Sequence, residues 1–317
     1  MREAVSKECA PAFVRAVADD AADPAPLWRT YRKLGWTEFG EPSEAVELGI
    51  VLEELGHAVD PTPYLATMTQ FVPLAPAALA TGKSGTAVFA GVRARRNGPD
   101  WLLDGTARYV LDGDRAEQFA VVTGEGVFVV PADQATATSL SVFDPLLHVA
   151  DVTFAGVRVS GDARSDADPE RARHLALAGL AMTTVGACRR ILDLTLEHVR
   201  SRRQFDVPVG SFQAVQHKAV DMYVAIERAR ALAYFAMMTI AADDPRRRLA
   251  ASMAKASAGE CQALVFRHGV QLFGAMGNTW ENDLQFALKR AKAGELLLGG
   301  AAEHRATIAE ECYATVL

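Results

Sequence analysis

The sequence predicts a mostly helical protein with a central β domain: N-terminal helices, an antiparallel β domain and a C-terminal four-helix bundle. Three observations carry this. Apolar residues recur three and four apart from about Lys7 to Leu79, short β-branched runs cut by Gly, Asp and Pro fill about Thr86 to Ser160, and the helical period returns from about Asp168 and holds to the end. Alanine, the strongest helix former, supplies much of an apolar half, which favours helices over strands. Domains at 1–82, 83–165 and 166–317 follow from these changes of texture.

In the first segment, Pro24 and Pro26 interrupt one helical run, and Ser43 followed by Glu47, just after Pro42, marks the start of the next. Pro61 and Pro63 close it. In the second segment, Gly124 and Gly126 lie in a turn between AVV and VFVV and predict a hairpin, because glycine takes positive φ without steric cost. Strands this close together with no helices between them imply antiparallel pairing. In the third, the pattern predicts four long helices over 168–203, 212–242, 245–274 and 281–314, broken at Pro208 and Gly210, at Asp243 to Pro245 and at Gly274 to Asn278. Long amphipathic helices with short links read as an antiparallel bundle.

A chain of 317 residues is too long for one unit, so two or three packed domains are expected. Lys and Arg total 33 against 39 Asp and Glu, a net charge of −6 that supplies no field for phosphate backbones or anionic lipid, so neither nucleic acid nor a membrane is an expected partner. Cys9, Cys188, Cys261 and Cys312 have no CxxC spacing, which argues against zinc and against a disulfide framework and suits the reducing cytosol. The N-terminus lacks a long apolar stretch, and the uncharged run over 61–82 is cut by prolines and polar residues, so a cytoplasmic location is expected.

A bundle raises the question of a di-iron site, which needs Glu-x-x-His on two helices. The one such pair, Glu54 and His57, lies outside the bundle, and the other histidines define no metal set. Two segments carry phosphate-binding residue types at helix boundaries. Over 202–213, Arg202 and Arg203 end one helix, Phe205 follows, and a new helix begins at Phe212 or Gln213. Arg can grip a pyrophosphate, Phe can cover an adenine or ribose, and the helix start offers amide donors. Cations that merely complement the helix dipole explain the arginines equally. Over 271–281, Gly274 and Gly277 would let a ligand approach bare backbone, and a plain helix cap explains Gly274 as well.

Together, RRQFDVPVGSFQAVQHKAVDM and QLFGAMGNTWENDLQFALKRAK, placed within this order of elements, resemble the acyl-CoA dehydrogenase family, most strongly from Ala178 to Lys292. The resemblance implies FAD lying across a subunit interface. Arg202, Gln204 and Phe205 match the family's Arg-x-x-Phe, whose arginine meets the FAD pyrophosphate of the neighbouring subunit. Gln213 matches the Phe-Gln that follows. Gln271, Gly274 and Gly277 match the glycine-rich segment that receives the adenosine end, with Ala275 where a second glycine is usual.

The departures are as informative. The family's catalytic glutamate occupies one of two places, and this chain carries Leu298 before Gly299 at one and Leu175-Ala176-Leu177 at the other, so no catalytic residue is assigned. On the flavin side, the usual Trp and Thr become Tyr109 and Leu111. Glu295, about a turn before Leu298, and Glu260 are both unsuited to replace the base.

The resemblance is to the short, glutamate-lacking subunit of actinobacterial heterotetrameric dehydrogenases of steroid side-chain CoA thioesters. It implies a flavoprotein oxidoreductase subunit that desaturates an acyl-CoA only with a longer partner subunit, the two sharing FAD. An active homo-oligomer with an unrecognised base, a helical scaffold without flavin, and an acyl-CoA-binding protein without turnover are the alternatives.

Overall fold

The computed structural model describes residues 2–316. Helices α1 (Arg2–Glu8), α2 (Pro11–Ala18) and α3 (Ala25–Lys33) open the chain. Pro11 and Pro26 stand in the first turns of α2 and α3, where a missing N–H breaks no intrahelical bond. A 3-10 turn over Pro42–Glu44 leads into α4 (Ala45–Ala58). Its cap differs from the expected Ser43 and Glu47: the Glu44 carboxylate accepts the Glu41 N–H at 3.0 Å. A reach-back cap works at a spacing of three residues, which 41 and 44 satisfy and 43 and 47 do not. After α4 the chain turns at Val59 (φ 59°) and Pro61 into a helical stretch, α5 (Tyr64–Ala66), continued by a π turn over Thr67–Phe71.

The β domain has two four-stranded sheets. One orders β1 (Gly85–Val88), β4 (Gln118–Thr123), β5 (Gly126–Pro131) and β8 (Arg164–Ser165); the other orders β2 (Val92–Asn97), β3 (Asp100–Leu111), β7 (Val149–Val159) and β6 (Thr136–Ser139). Side chains from both sheets fill one core, including Val121, Phe119 and Phe128 from the first and Leu103, Val152 and Phe154 from the second. The expected hairpin forms, with Thr123 opposite Gly126. Pairing is antiparallel except that β1 runs parallel to β4. The hairpin of β2 and β3, which belongs to the other sheet, separates them in sequence and gives the chain a return path in the same direction.

The C-terminal helices are α6 (Pro169–Ser201), α7 (Gln213–Ala241), α8 (Arg247–Phe273), α9 (Leu284–Leu296) and α10 (Ala301–Val316), with a two-stranded ribbon, β9 (Arg203–Gln204) and β10 (Val207–Pro208), between α6 and α7. The expected fourth helix over 281–314 is therefore two. At its break Leu298 (φ 56°) and Gly299 (φ 98°) are left-handed, a conformation that no continuous right-handed helix contains. Among the described residues, α6 alone is long and apolar enough to cross a membrane by composition, and 89% of its apolar window is buried inside the protein, as in a core helix.

The chain divides into two compact units. One comprises Met1–Ala22, Ala45–Asp60 and Leu177–Leu317, and the other Asp23–Glu44 and Pro61–Ala176. In the first unit α4 packs on the bundle because glycines allow backbone contact. A Cβ on Gly186 would lie 2.1 Å from the Glu53 carbonyl oxygen, and one on Gly56 would lie 2.3 Å from that of Thr183. At the same crossing the Glu53 carboxylate, 2% exposed, accepts from Arg189, from Arg230 Nε at 2.9 Å and from the Tyr234 hydroxyl at 2.8 Å. Burial, then the bond to Glu53, pushes the Tyr234 hydroxyl up to about 12.

Candidate functional site

The two segments singled out in the sequence meet at one end of the bundle. Helix α6 gives way at Arg202, whose N–H still donates to the His198 carbonyl at 2.8 Å, and whose own carbonyl accepts the Val209 N–H at 2.8 Å. The ribbon between them turns through Phe205 (φ 52°) and Asp206 (φ 65°), two consecutive left-handed residues that match a type I′ hairpin turn. Such a turn favours Asn and Gly, and an aromatic there is strained. The turn is braced by the Arg203 guanidinium, which donates to the Asp206 carbonyl. At its tip Phe205 is 87% exposed, its ring set edge-on to Phe212 at 6.2 Å.

Helix α7 starts at Gln213 as expected. Phe212 is its N-cap and brings no side-chain acceptor, so the amides of the first turn are not capped by a side chain. Arg202, Gln204 and Gln213 are all exposed. Helix α8 closes on Phe273, with Gly274 (φ 65°) as its C-cap, and a 3-10 turn runs over Gly274–Asn278. No atom lies within 4 Å of the position a Gly274 Cβ would take, whereas one on Gly277, which is buried, would come 2.9 Å from the Phe273 Cβ. Ala275 is exposed.

Two contacts that the sequence reading missed join the segments. The Lys218 ammonium donates to Gln271 Oε1 at 2.8 Å, tying α7 to the end of α8. The His198 ring stacks on Phe273, with centroids 4.4 Å apart and planes 13° from parallel. His198 stands four residues before Arg202, one helical turn, so its place beside that arginine was readable from spacing. The field here is positive. Burial and then Arg202 hold His198 below the usual imidazole range, and burial, Lys218 and Arg267 do the same to His268 against the opposing Asp221. Val220, Tyr223 and Val224 stand exposed on α7 at helical spacing, on the same helix.

The expected position of the base holds no carboxylate. Leu298 lies in the elbow between α9 and α10, beyond the end of α9, so the distance from Glu295 is not one of helical rise. Glu295 Oε2 is bound to the Lys292 ammonium at 2.7 Å. Glu260 is taken by Arg228 at 2.7 Å and by Arg305 Nε at 2.8 Å. The elbow carbonyls are taken too: the buried Lys255 ammonium donates to Glu295 O and to Gly299 O, at 2.8 and 2.6 Å, and His304 Nε2 lies 3.0 Å from Leu298 O. Sequence reading passed over Lys255, whose only signal was a lysine inside an Ala- and Ser-rich stretch. Burial lowers its pKa to about 8.

In the β domain Tyr109 sits at an irregularity of β3 with φ 58° and is 66% exposed, while Leu111 is buried. Tyr109 brings a phenol in place of the family's indole, and Leu111 brings no hydroxyl in place of its threonine. Among the described residues no group of three or more His, Cys, Asp and Glu converges as metal ligands do. The arrangement can therefore hold an anion and a planar ring at the α6, α7 and α8 ends, and at the elbow Leu298 itself supplies no acid or base.

The family described as Acyl-CoA dehydrogenase, C-terminal domain, matches residues 174–313. The chain is 30% identical over 326 residues to Acyl-CoA dehydrogenase IpdE2 of Mycolicibacterium smegmatis, with 98% of this chain and 95% of that protein covered. It superposes on a chain of the ChsE4-ChsE5 complex from Mycobacterium tuberculosis with a TM-score of 0.89, 25% identity and coverage of 98% and 94%. A chain of the Tcur3481-Tcur3483 steroid ACAD G363A variant shares the fold at a TM-score of 0.89 and 23% identity, covering 99% and 96%.

Proposed function

The chain belongs to the acyl-CoA dehydrogenase family, and from that premise we propose that it is the base-lacking subunit of a heteromeric, FAD-dependent acyl-CoA dehydrogenase. The observation that carries this is the pairing of an exposed anion-binding end with an elbow that holds Leu298 where the family has glutamate. The residues fit one half of FAD. Arg202 and the uncapped start of α7 suit the pyrophosphate, Phe205 and Gln204 suit the groups beside it, and Gln213, Gln271, Gly274 and Gly277 suit the adenosine end, where the open space at Gly274 admits a ligand against backbone. The isoalloxazine end has no matching residues at Tyr109 and Leu111. When bound, FAD supplies the acceptor for the hydride that leaves the acyl β-carbon.

In this reading a longer cytoplasmic partner brings the glutamate and the isoalloxazine pocket, and this chain completes the site from its own bundle. Its work is to hold and orient, with Arg202 as the main charge partner of the pyrophosphate. The exposure of Phe205, Phe212 and the α7 stripe supports a neighbouring subunit, since large apolar side chains grouped at a surface are typical of interaction sites. A steroid side-chain CoA thioester is the proposed substrate, supported by likeness to a chain of the Tcur3481-Tcur3483 steroid ACAD and to one of the ChsE4-ChsE5 complex.

The test is expression of the chain alone and together with its longer homologue, with FAD counted per complex and acyl-CoA-dependent dye reduction measured. Flavin and turnover are expected in the complex and not in the chain alone. A yellow, active chain on its own would overturn the reading, and so would a colourless complex.

A further inference from the structure

A cleft of about 760 Å³ opens beside α3, far in character from the anion site of the bundle. Arg29, Arg32, Lys33, Thr37 and Glu38 line it, together with residues of the 3-10 turn Pro76–Thr81. Helix α3 buries Leu27, Trp28 and Tyr31, and positions 29, 32 and 33 are spaced to share its outer face. The cleft thus gathers three cations and one carboxylate on a chain whose net charge is −6.

Helix-dipole complementation accounts for Arg32 and Lys33, which lie in the last turn of α3. It does not account for Arg29, which lies earlier, or for an open cleft between these cations and a second element. Among the described residues no ion pair neutralises Arg29, Arg32 or Lys33. Arg32 is moreover seated. Its guanidinium lies over Gly82 (φ 67°), so close that a Cβ there would fall 1.8 Å from Nη2. Arg32 is exposed, and its guanidinium lies against the backbone at Gly82 on one side and faces solvent on the other.

We infer that this cleft binds a phosphorylated ligand of nucleotide size. The guanidinium groups of Arg29 and Arg32 present paired N–H donors that match phosphate oxygens, Lys33 adds a point charge, and the Thr37 hydroxyl can donate as well. The volume suits a small organic ligand and exceeds what one phosphate fills. Glu38 sets a limit: it repels a second anionic group on its side, so the ligand carries its charge at one end and a neutral body at the other. The inference stands apart from the flavin reading, since none of these residues belongs to that site.

The test is isothermal titration of the full chain with ADP, pyrophosphate and adenosine at 50 mM NaCl. ADP is expected to bind, pyrophosphate to bind more weakly, and adenosine not to bind detectably, with ADP weakening severalfold at 200 mM NaCl because exposed charges are screened. The titration is repeated in the Arg202→Ala chain, which removes the bundle cation as a competing anion site and should retain ADP binding. In that background Arg29→Ser with Arg32→Ser should weaken ADP at least tenfold, and Arg29→Ser alone severalfold, with unchanged far-UV circular dichroism. ADP binding that survives the double substitution, disappears with Arg202→Ala, or is matched by adenosine overturns the inference, as does no binding at all. Failure of the flavin reading leaves every one of these outcomes readable.

Discussion

Lys255, buried in the middle of α8, places its ammonium 2.8 Å from the backbone carbonyl of Glu295, and so terminates α9 from a different helix. A helix end leaves carbonyls without intrahelical partners, and here a charged donor satisfies one of them along with that of Gly299 across the elbow. The elbow that carries Leu298 is thereby a fixed joint.

Lys255→Met should cost about 1–3 kcal/mol, because two carbonyls lose their donor while the volume is kept. The pH dependence has a definite sign. A lysine whose folded pKa, about 8, lies below its unfolded value binds fewer protons folded than unfolded between those values, so wild-type stability rises with pH from about 8 to 10.5 through this group. Urea melts at pH 7.5 and 10 should show the wild type gaining on Lys255→Met; parallel curves would refute the assignment.

Phe205→Asn should act in opposite directions on stability and on flavin. The residue is left-handed and 87% exposed, so Asn relieves backbone strain of about 1 kcal/mol and gives up little burial. Thermal melts of the chain alone should move up, while the complex with its longer partner should retain less FAD after gel filtration.

Arg202→Ala should weaken FAD in the complex by roughly tenfold or more, since a charge-assisted contact to phosphate is among the stronger hydrogen bonds. The same arginine helps hold His198 below its usual range, so the substitution, or pyrophosphate bound beside it, should raise the His198 pKa. An NMR titration of the imidazole reads this directly, and an unmoved His198 would dissociate it from the anion.

Glu53→Ala should cost about 2 kcal/mol, because Tyr234 and Arg189 lose a buried carboxylate while Arg189 keeps Glu54 and the part-exposed Arg230 can turn to Glu227 and water. Tyr234→Phe should cost about 1 kcal/mol, the price of one hydrogen bond to a carboxylate that keeps its other partners. Chemical denaturation checks both.

Gly186→Ala should cost about 3 kcal/mol, since its Cβ would press on the Glu53 carbonyl and on the His57 backbone nitrogen, 2.1 and 2.7 Å away, and backbone cannot step aside as a side chain can. Gly98→Ala meets no atom within 4 Å, though its φ of 66° adds strain, and it should cost less.

The order of helices, sheets and bundle was legible because periodicity records which face is buried, and α6, α7 and α8 follow it to within a few residues of their ends. The break at Leu298 was not, because ELLLGG continues the apolar period and the left-handed turn is imposed by Lys255 and His304, which no local pattern announces; Gly299 and Gly300 were the available hint. The parallel pairing of β1 and β4 depends on a crossover between sheets, a non-local choice. In the bundle site the helix ends were readable from Pro208 and Gly274, whereas the His198 stack and the Lys218 bond needed three helices in place.

The close crossing of α4 and α6 also sets a timetable. Glu53 and Arg189 are 136 residues apart in sequence, so α4 leaves the ribosome long before the helix it packs on. At common rates of synthesis that delay is on the order of ten seconds, during which Leu48, Val51, Leu52 and Leu55, all buried in the finished protein, have no bundle to cover them. Helix α4 must therefore wait for a partner made much later in its own sequence, and its apolar face stays uncovered by the bundle until α6 is complete.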